Sequence, residues 1–344
     1  MAATLWCCMT EAQAGPVAVP GAVQGTGQGK EQGTARGAAP GGAWGRRTVI
    51  GVPFAFMVLF FSLPFLVVLR ISVAEPDAGG LGELLSWTDG ALRLHLKLAN
   101  YRYLVSDAFY LSHYLSSLGY AALNTAVCLL VGYPFAYFMS RARRDLRPVL
   151  VLLVSLPFWI SYLLRIYAWK GLLDDHGVVN QILLWLHWAD APLHMLYTPF
   201  SMTVGMAYCY LPFMILPLYG TLVKADPRLL EAAADLGAGP WRIFWLVTVP
   251  LSRAGVVAGC MLVFIPSVGE YVIPELLGGP QTRMIARVLW NEYFQNLDWP
   301  MASAVAVSMM AILLVPLLWL QSAQRGAGQG GGSASGPAAV AGRA

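Results

Sequence analysis

The feature that most restricts this chain is a succession of six apolar stretches, at 48–72, 115–139, 148–171, 200–223, 252–277 and 302–322. Each holds the roughly 20 residues that a helix needs to cross the hydrocarbon of a bilayer. Lipid offers the backbone no hydrogen-bond partners, so a spanning segment must be a helix or part of a closed barrel. The second, fourth and sixth stretches contain no Asp, Glu, Lys or Arg. Charged residues make up 12% of the chain, against roughly 25% in soluble domains, and the mean hydropathy is +0.59. The sequence predicts an all-α membrane protein with six spans.

Basic residues set the expected orientation. The densest cluster, "RARRDLR" at 141–147, falls between the second and third stretches. With the N-terminus in the cytoplasm, the larger share of the 22 lysines and arginines lies inside. Both termini are then cytoplasmic. Residues 1–47 and 323–344, rich in Gly and Ala, read as disordered tails flanking a permeation domain at 48–322. No apolar core precedes residue 48, so no secretory signal peptide is expected.

Several chemistries find no support. The nearest approach to a nucleotide-binding P-loop, "GTGQGKE" at 25–31, lacks the first glycine at its proper spacing and the hydroxyl residue after lysine. There is no HExxH and no metal-spaced Cys/His pair, so neither a metal nor a cofactor is expected. The five cysteines read as small apolar packing residues or tail residues rather than a disulfide framework. The five histidines fall in expected outer loops or at their edges and read as solvated. The chain is therefore not expected to be an enzyme on its own, and uphill transport would draw its energy from a partner or an ion gradient.

The stretch "EAAADLGAGPWRIFWLVTVP" at 231–250 breaks the apolar pattern. Asp226 and Pro227 supply a helix cap and first residue, and Gly237 can take the left-handed conformation that ends a helix. Gly239 and Pro240 restart a helix that stops at Pro250. Each piece is about 15 Å long, too short to span. The region 226–250 is thus expected either to dock a neighbour or to lie amphipathically on the membrane surface.

The spacing Glu231-Ala232-Ala233, three residues, Gly237, nine residues, Val247-Thr248-Val249-Pro250 resembles the EAA loop of ABC importer permeases, with valines in place of Ile and Leu. The stretches "GYPFAYFMSRA", "LPFWISYLLRIYAWKGLL", "YLPFMILPLYGTL" and "LVFIPSVGEYVIPELLGG" are similar to spermidine/putrescine permeases over roughly 48–322. The resemblance implies a type I ABC importer fold whose cytoplasmic coupling helix sits in a cleft of an ATP-hydrolysing subunit. Glu231, Ala232, Ala233 and Gly237 would be the docking residues. It also implies a second related permease in a heterodimer, two ATP-binding subunits, a periplasmic substrate-binding protein and a bacterial inner membrane. The expected cargo is a polyamine. An ABC importer for another small charged solute and an ion-coupled secondary carrier remain the alternatives.

Ionisable residues inside spans are candidates for a transport pathway. Glu270, Glu275 and Arg165 qualify. A continuous fifth span would put Glu270 roughly 25 Å beyond Arg253, on the face of Gly255 and Gly259, pointing into the bundle rather than to the outer headgroups. Phe158, Tyr162, Arg165 and Trp169 would form one stripe with Trp159 beside it. Aromatic faces attract ammonium groups, although aromatic residues also belt membrane interfaces. The pathway set is Trp159, Tyr162, Glu270 and Tyr271.

Overall fold

The computed structural model describes residues 51–74, the strand residues between 76 and 94, residues 99–280 and residues 282–329. The chain divides into two compact units, Met1–Met57 and Val58–Ala344. Of the first, residues 51–57 are described and are helical.

The second unit begins with a π-helical turn, Val58–Ser62, that leads into α1, Leu63–Ser72. Two short hairpins follow, β1 Pro76–Asp77 with β2 Gly80–Leu81, and β3 Leu85–Thr88 with β4 Ala91–Leu94. Among the described residues these are the only strands, and everything else regular is helical. Next come α2 (Ala99–Ser106), α3 (Ala108–Arg141), α4 (Arg147–Ser155), α5 (Tyr162–Leu172), α6 (Val178–Trp185) and α7 (Pro199–Leu222). The remaining helices are α8 (Pro227–Asp235), α9 (Pro240–Leu251, with a π-helical centre), α10 (Arg253–Val268), α11 (Val272–Leu276), α12 (Ile285–Phe294) and α13 (Trp299–Gln329).

By length and composition Gly51–Ser72, α3 and α7 can each cross a membrane as single helices. Two further apolar pairs are bent, Arg147–Trp159 with Tyr162–Leu172 by 90°, and Pro240–Leu251 with Arg253–Val268 by 65°. Counting each pair once gives up to five spans among the described residues, and Trp299–Val315 is a shorter apolar helix. The stretch 148–171, expected as one helix, is broken because Pro157 sits in a 3₁₀ turn at Leu156–Trp159 and Ile160 is extended. The stretch 252–277 likewise ends early, with Val268 the last residue of α10 and Gly269 its cap. Helix α13 continues to Gln329, past the point where the tail 323–344 was expected to begin. The tail 1–47 and residues 330–344 lie outside the described residues.

The core is built by α3, α7 and α10, which pack against one another along their lengths. Close approach explains the choice of residues. A Cβ on Gly259 would lie 2.8 Å from Met214 Sδ, and one on Gly255 would lie 2.9 Å from the Pro217 carbonyl. Gly255 and Gly259 therefore have a specific packing role against α7, beyond the general frequency of glycine in spans. Polar cross-links pin the same helices where hydrophobicity alone cannot discriminate helix from lipid. Asn124 Nδ2 donates to Ser267 Oγ at 2.9 Å, and Tyr133 Oη pairs with Ser252 Oγ at 2.9 Å. A second cluster joins α3 and α13 to α12 through Tyr114, Ile285, Val288 and Val305.

Candidate functional site

Two regions answer to the residues singled out above. The first is the segment α8–α9. The Asp226 carboxylate accepts from the Arg228 N–H at 3.0 Å, capping α8 as its sequence predicts. At the other end Gly237 has φ +79°. Its N–H donates to the Ala234 carbonyl at 2.9 Å, and the Ala238 N–H donates to the Ala233 carbonyl at 3.1 Å. That pair of bonds is the Schellman termination, which needs a left-handed residue where glycine stands.

No residue of α8 is buried. Glu231 and Ala232 are exposed, Ala233 is half-buried, and Leu236 is 89% exposed. The segment after it is held to the bundle by aromatic packing: Phe244 meets Tyr133 and Tyr137 edge-on at 5.6 and 6.0 Å. A capped, rigidly terminated helix thus projects short side chains outward from a fixed base. Such a surface can accept a groove of another protein.

The second region is a buried polar cluster where α10 gives way to α11. Glu270 lies in the gap after the helix end, which corrects the expected placement on a continuous fifth span. It still points inward, with 8% of its surface exposed. Glu270 Oε1 accepts from the backbone N–H groups of Val272 at 3.0 Å and Ile273 at 3.4 Å, capping α11. Tyr210 of α7 donates its hydroxyl to Oε2. Tyr162 neighbours both Glu270 and Tyr210, and the Arg165 guanidinium lies 5.6 Å from the Tyr162 ring centre.

Tyr162 Oη and Arg165 Nε and Nη1 are buried without a hydrogen-bond partner in the described residues. Buried guanidinium N–H groups without acceptors carry a desolvation cost. Glu275, the other acid considered, pairs with Arg287 at 2.9 Å and not with Arg165.

The predicted pathway residues therefore separate. Tyr162 and Glu270 come together with Arg165 and Tyr210. Trp159 is 85% exposed on the turn before the 90° bend, and the same bend takes Phe158 off the helix that carries Tyr162. Tyr271 instead stacks on Trp290 at 4.5 Å. Tyr210 was missed, since a tyrosine in an uncharged span has no local signal and its role depends on a carboxylate 60 residues away. His113, expected to be solvated, is buried on α3 with Nδ1 2.6 Å from the Phe109 carbonyl. It faces the bundle because α3 begins earlier than the apolar pattern suggested.

A helical membrane bundle with two bent spans, a buried carboxylate in the gap after α10 and an exposed two-helix segment before it describes a solute permease. Residues 127–325 match the family of binding-protein-dependent transport system inner membrane components, and the chain belongs to that family. It is similar to the spermidine/putrescine transport system permease protein PotB of Escherichia coli, with 34% identity over 81% of this chain and 96% of that protein. The Haemophilus influenzae protein of the same name is 35% identical over 78% of this chain and 90% of its own length. Among solved structures, a bacterial alginate ABC transporter in complex with an alginate-bound periplasmic protein has the same fold. Its TM-score is 0.58 at 17% identity, covering 80% of this chain and 92% of that one. The chain is thus a transport subunit of an ABC importer, an inner-membrane component that works with a binding protein.

Proposed function

We propose that this permease moves polyamines such as spermidine and putrescine into a bacterial cytoplasm. The observation that carries this reading is the identity to spermidine/putrescine permeases along nearly the whole of their length. The chain would pair with a second related permease, two ATP-binding subunits and a periplasmic polyamine-binding protein. Glu231, Ala232, Ala233 and Gly237 would seat α8 in the ATPase, and both termini would face the cytoplasm, as would α8. ATP-driven closure of the partner subunits would then be transmitted to α7 and α10, which flank the segment.

The buried carboxylate of Glu270 gives a cationic cargo a counter-charge at the break between α10 and α11, and Tyr162 adds an aromatic face. Arg165 favours a second reading, a small solute that also carries an acceptor, because its unpartnered nitrogens would be satisfied by one. The deciding experiment is uptake of radiolabelled spermidine by a polyamine-uptake-deficient strain expressing this chain with its genomic neighbours. Saturable uptake that unlabelled putrescine competes away is the expected result. Uptake of a different charged solute with no spermidine signal would select the second reading.

A further inference from the structure

At the end of the bundle that carries α8, the helices leave an open cavity of about 270 Å³. Ser140 and Arg141 at the end of α3, Arg144 in the turn, Arg147 at the start of α4 and Thr221 of α7 line it. Leu230 of α8 and Thr248 of α9 close the wall. No carboxylate lines the cavity, and among the described residues none of the three arginines is in an ion pair with an acid. Two of them are held in place by other means. Arg147 Nε donates to the Ala142 carbonyl at 3.0 Å, and the Arg141 guanidinium lies 5.2 Å from the Tyr137 ring centre. Both retain guanidinium N–H groups for further acceptors.

Arginines that merely bias membrane orientation have no need to line one cavity. Arg143, in the same turn and exposed like Arg141 and Arg144, does not line it.

We propose that this cavity binds a phosphate group, received by Arg141, Arg144 and Arg147. Forked guanidinium donors match the several anionic oxygens of a phosphate, and no acid is among the lining residues. Both halves of the segment contribute wall residues, so the bound group ties α8 and α9 to the α3–α4 turn. The phosphate belongs either to an anionic lipid headgroup or to a free ion, and the same surroundings recognise both. The proposal rests on the cavity and is independent of the cargo.

The test is the thermal unfolding midpoint of the full-length chain in a neutral detergent. Inorganic phosphate is titrated against chloride at equal ionic strength, and short-chain phosphatidylglycerol against phosphatidylcholine of the same chain length. A saturable rise with phosphatidylglycerol alone identifies a lipid headgroup, and a rise with both anions shows that the free ion suffices. The double variant Arg141→Gln/Arg144→Gln should weaken the apparent affinity about tenfold or more. Arg143→Gln should leave it unchanged. The proposal is overturned if neither anion raises the wild-type midpoint, or if Arg143→Gln weakens the response as much as Arg144→Gln alone.

Discussion

The α8–α9 segment and the Glu270 cluster are both polar features of an apolar chain, yet they are built by opposite means. Around α8 the decisive hydrogen bonds are local. Asp226 reaches a backbone N–H two residues on, and the Gly237 termination spans a few residues. Around Glu270 the partners come from two elements, α7 and α11, with Tyr210 60 residues away in sequence. The first region is exposed; the second is enclosed, where every unpaired group is costly. The contrast teaches where damage should appear. Changes in α8 should spare the fold and cut communication with a partner, whereas changes at Glu270 should be felt by fold and cargo together.

The largest effect is expected from Glu270→Ala. It strips the acceptor from the Tyr210 hydroxyl and from two backbone N–H groups at once. At about 1–3 kcal/mol for each buried donor left unpaired, the thermal unfolding midpoint should fall markedly and uptake should be lost. Glu270→Gln sharpens the point, because it keeps the shape and an acceptor oxygen while removing the charge. Its midpoint should stay near wild type while uptake at low cargo concentration drops about tenfold to a hundredfold, the worth of a charge-assisted hydrogen bond. Wild-type uptake by Glu270→Gln over a range of cargo concentrations would take Glu270 out of the pathway and reduce it to the cap of α11.

Gly237→Val should produce the intermediate effect and the opposite pattern. A left-handed conformation costs a non-glycine residue about 1–2 kcal/mol, but nothing lies within 4 Å of a Cβ added there. The strain therefore falls on the α8 termination and not on packing. Membrane insertion and thermal stability should change little, while co-purification of an ATP-binding partner, or its cargo-stimulated ATPase activity, should decline. An intact complex with normal transport would dissolve the distinction between the two regions.

The smallest perturbation is a labelling experiment. In a background without the five native cysteines, single cysteines replacing Asp145 and Asp235 should be shielded from an impermeant thiol reagent in intact cells. One replacing Leu85 should react. The reverse pattern would place α8 on the outer face, where no ATPase could meet it.

How much of this was legible beforehand follows the same division. The cap at Asp226, the turn at Gly237 and the restart at Pro240 could be read directly, since each depends on residues within one or two turns. The all-helical membrane class was equally plain, because apolar length and missing charge act on each helix separately. The interruptions at Ile160 and Gly269 were not foreseen. Proline and glycine permit a break in a span, but their presence alone does not say that it is made. Tyr210 and the buried face of His113 were missed as well.

By itself, then, the sequence determined which stretches are apolar helices, where α8 starts and stops, and which small residues, Gly255 and Gly259 among them, were available for close approach. Those are consequences of solvation and of backbone preferences that act over a few residues. Only the tertiary structure decided that Glu270 meets Tyr210, that Arg165 Nε and Nη1 find no acceptor among the described residues, and that three arginines line one cavity. Such pairings need α3, α7 and α10 in register. That register comes from the summed packing of many side chains, which no local pattern encodes.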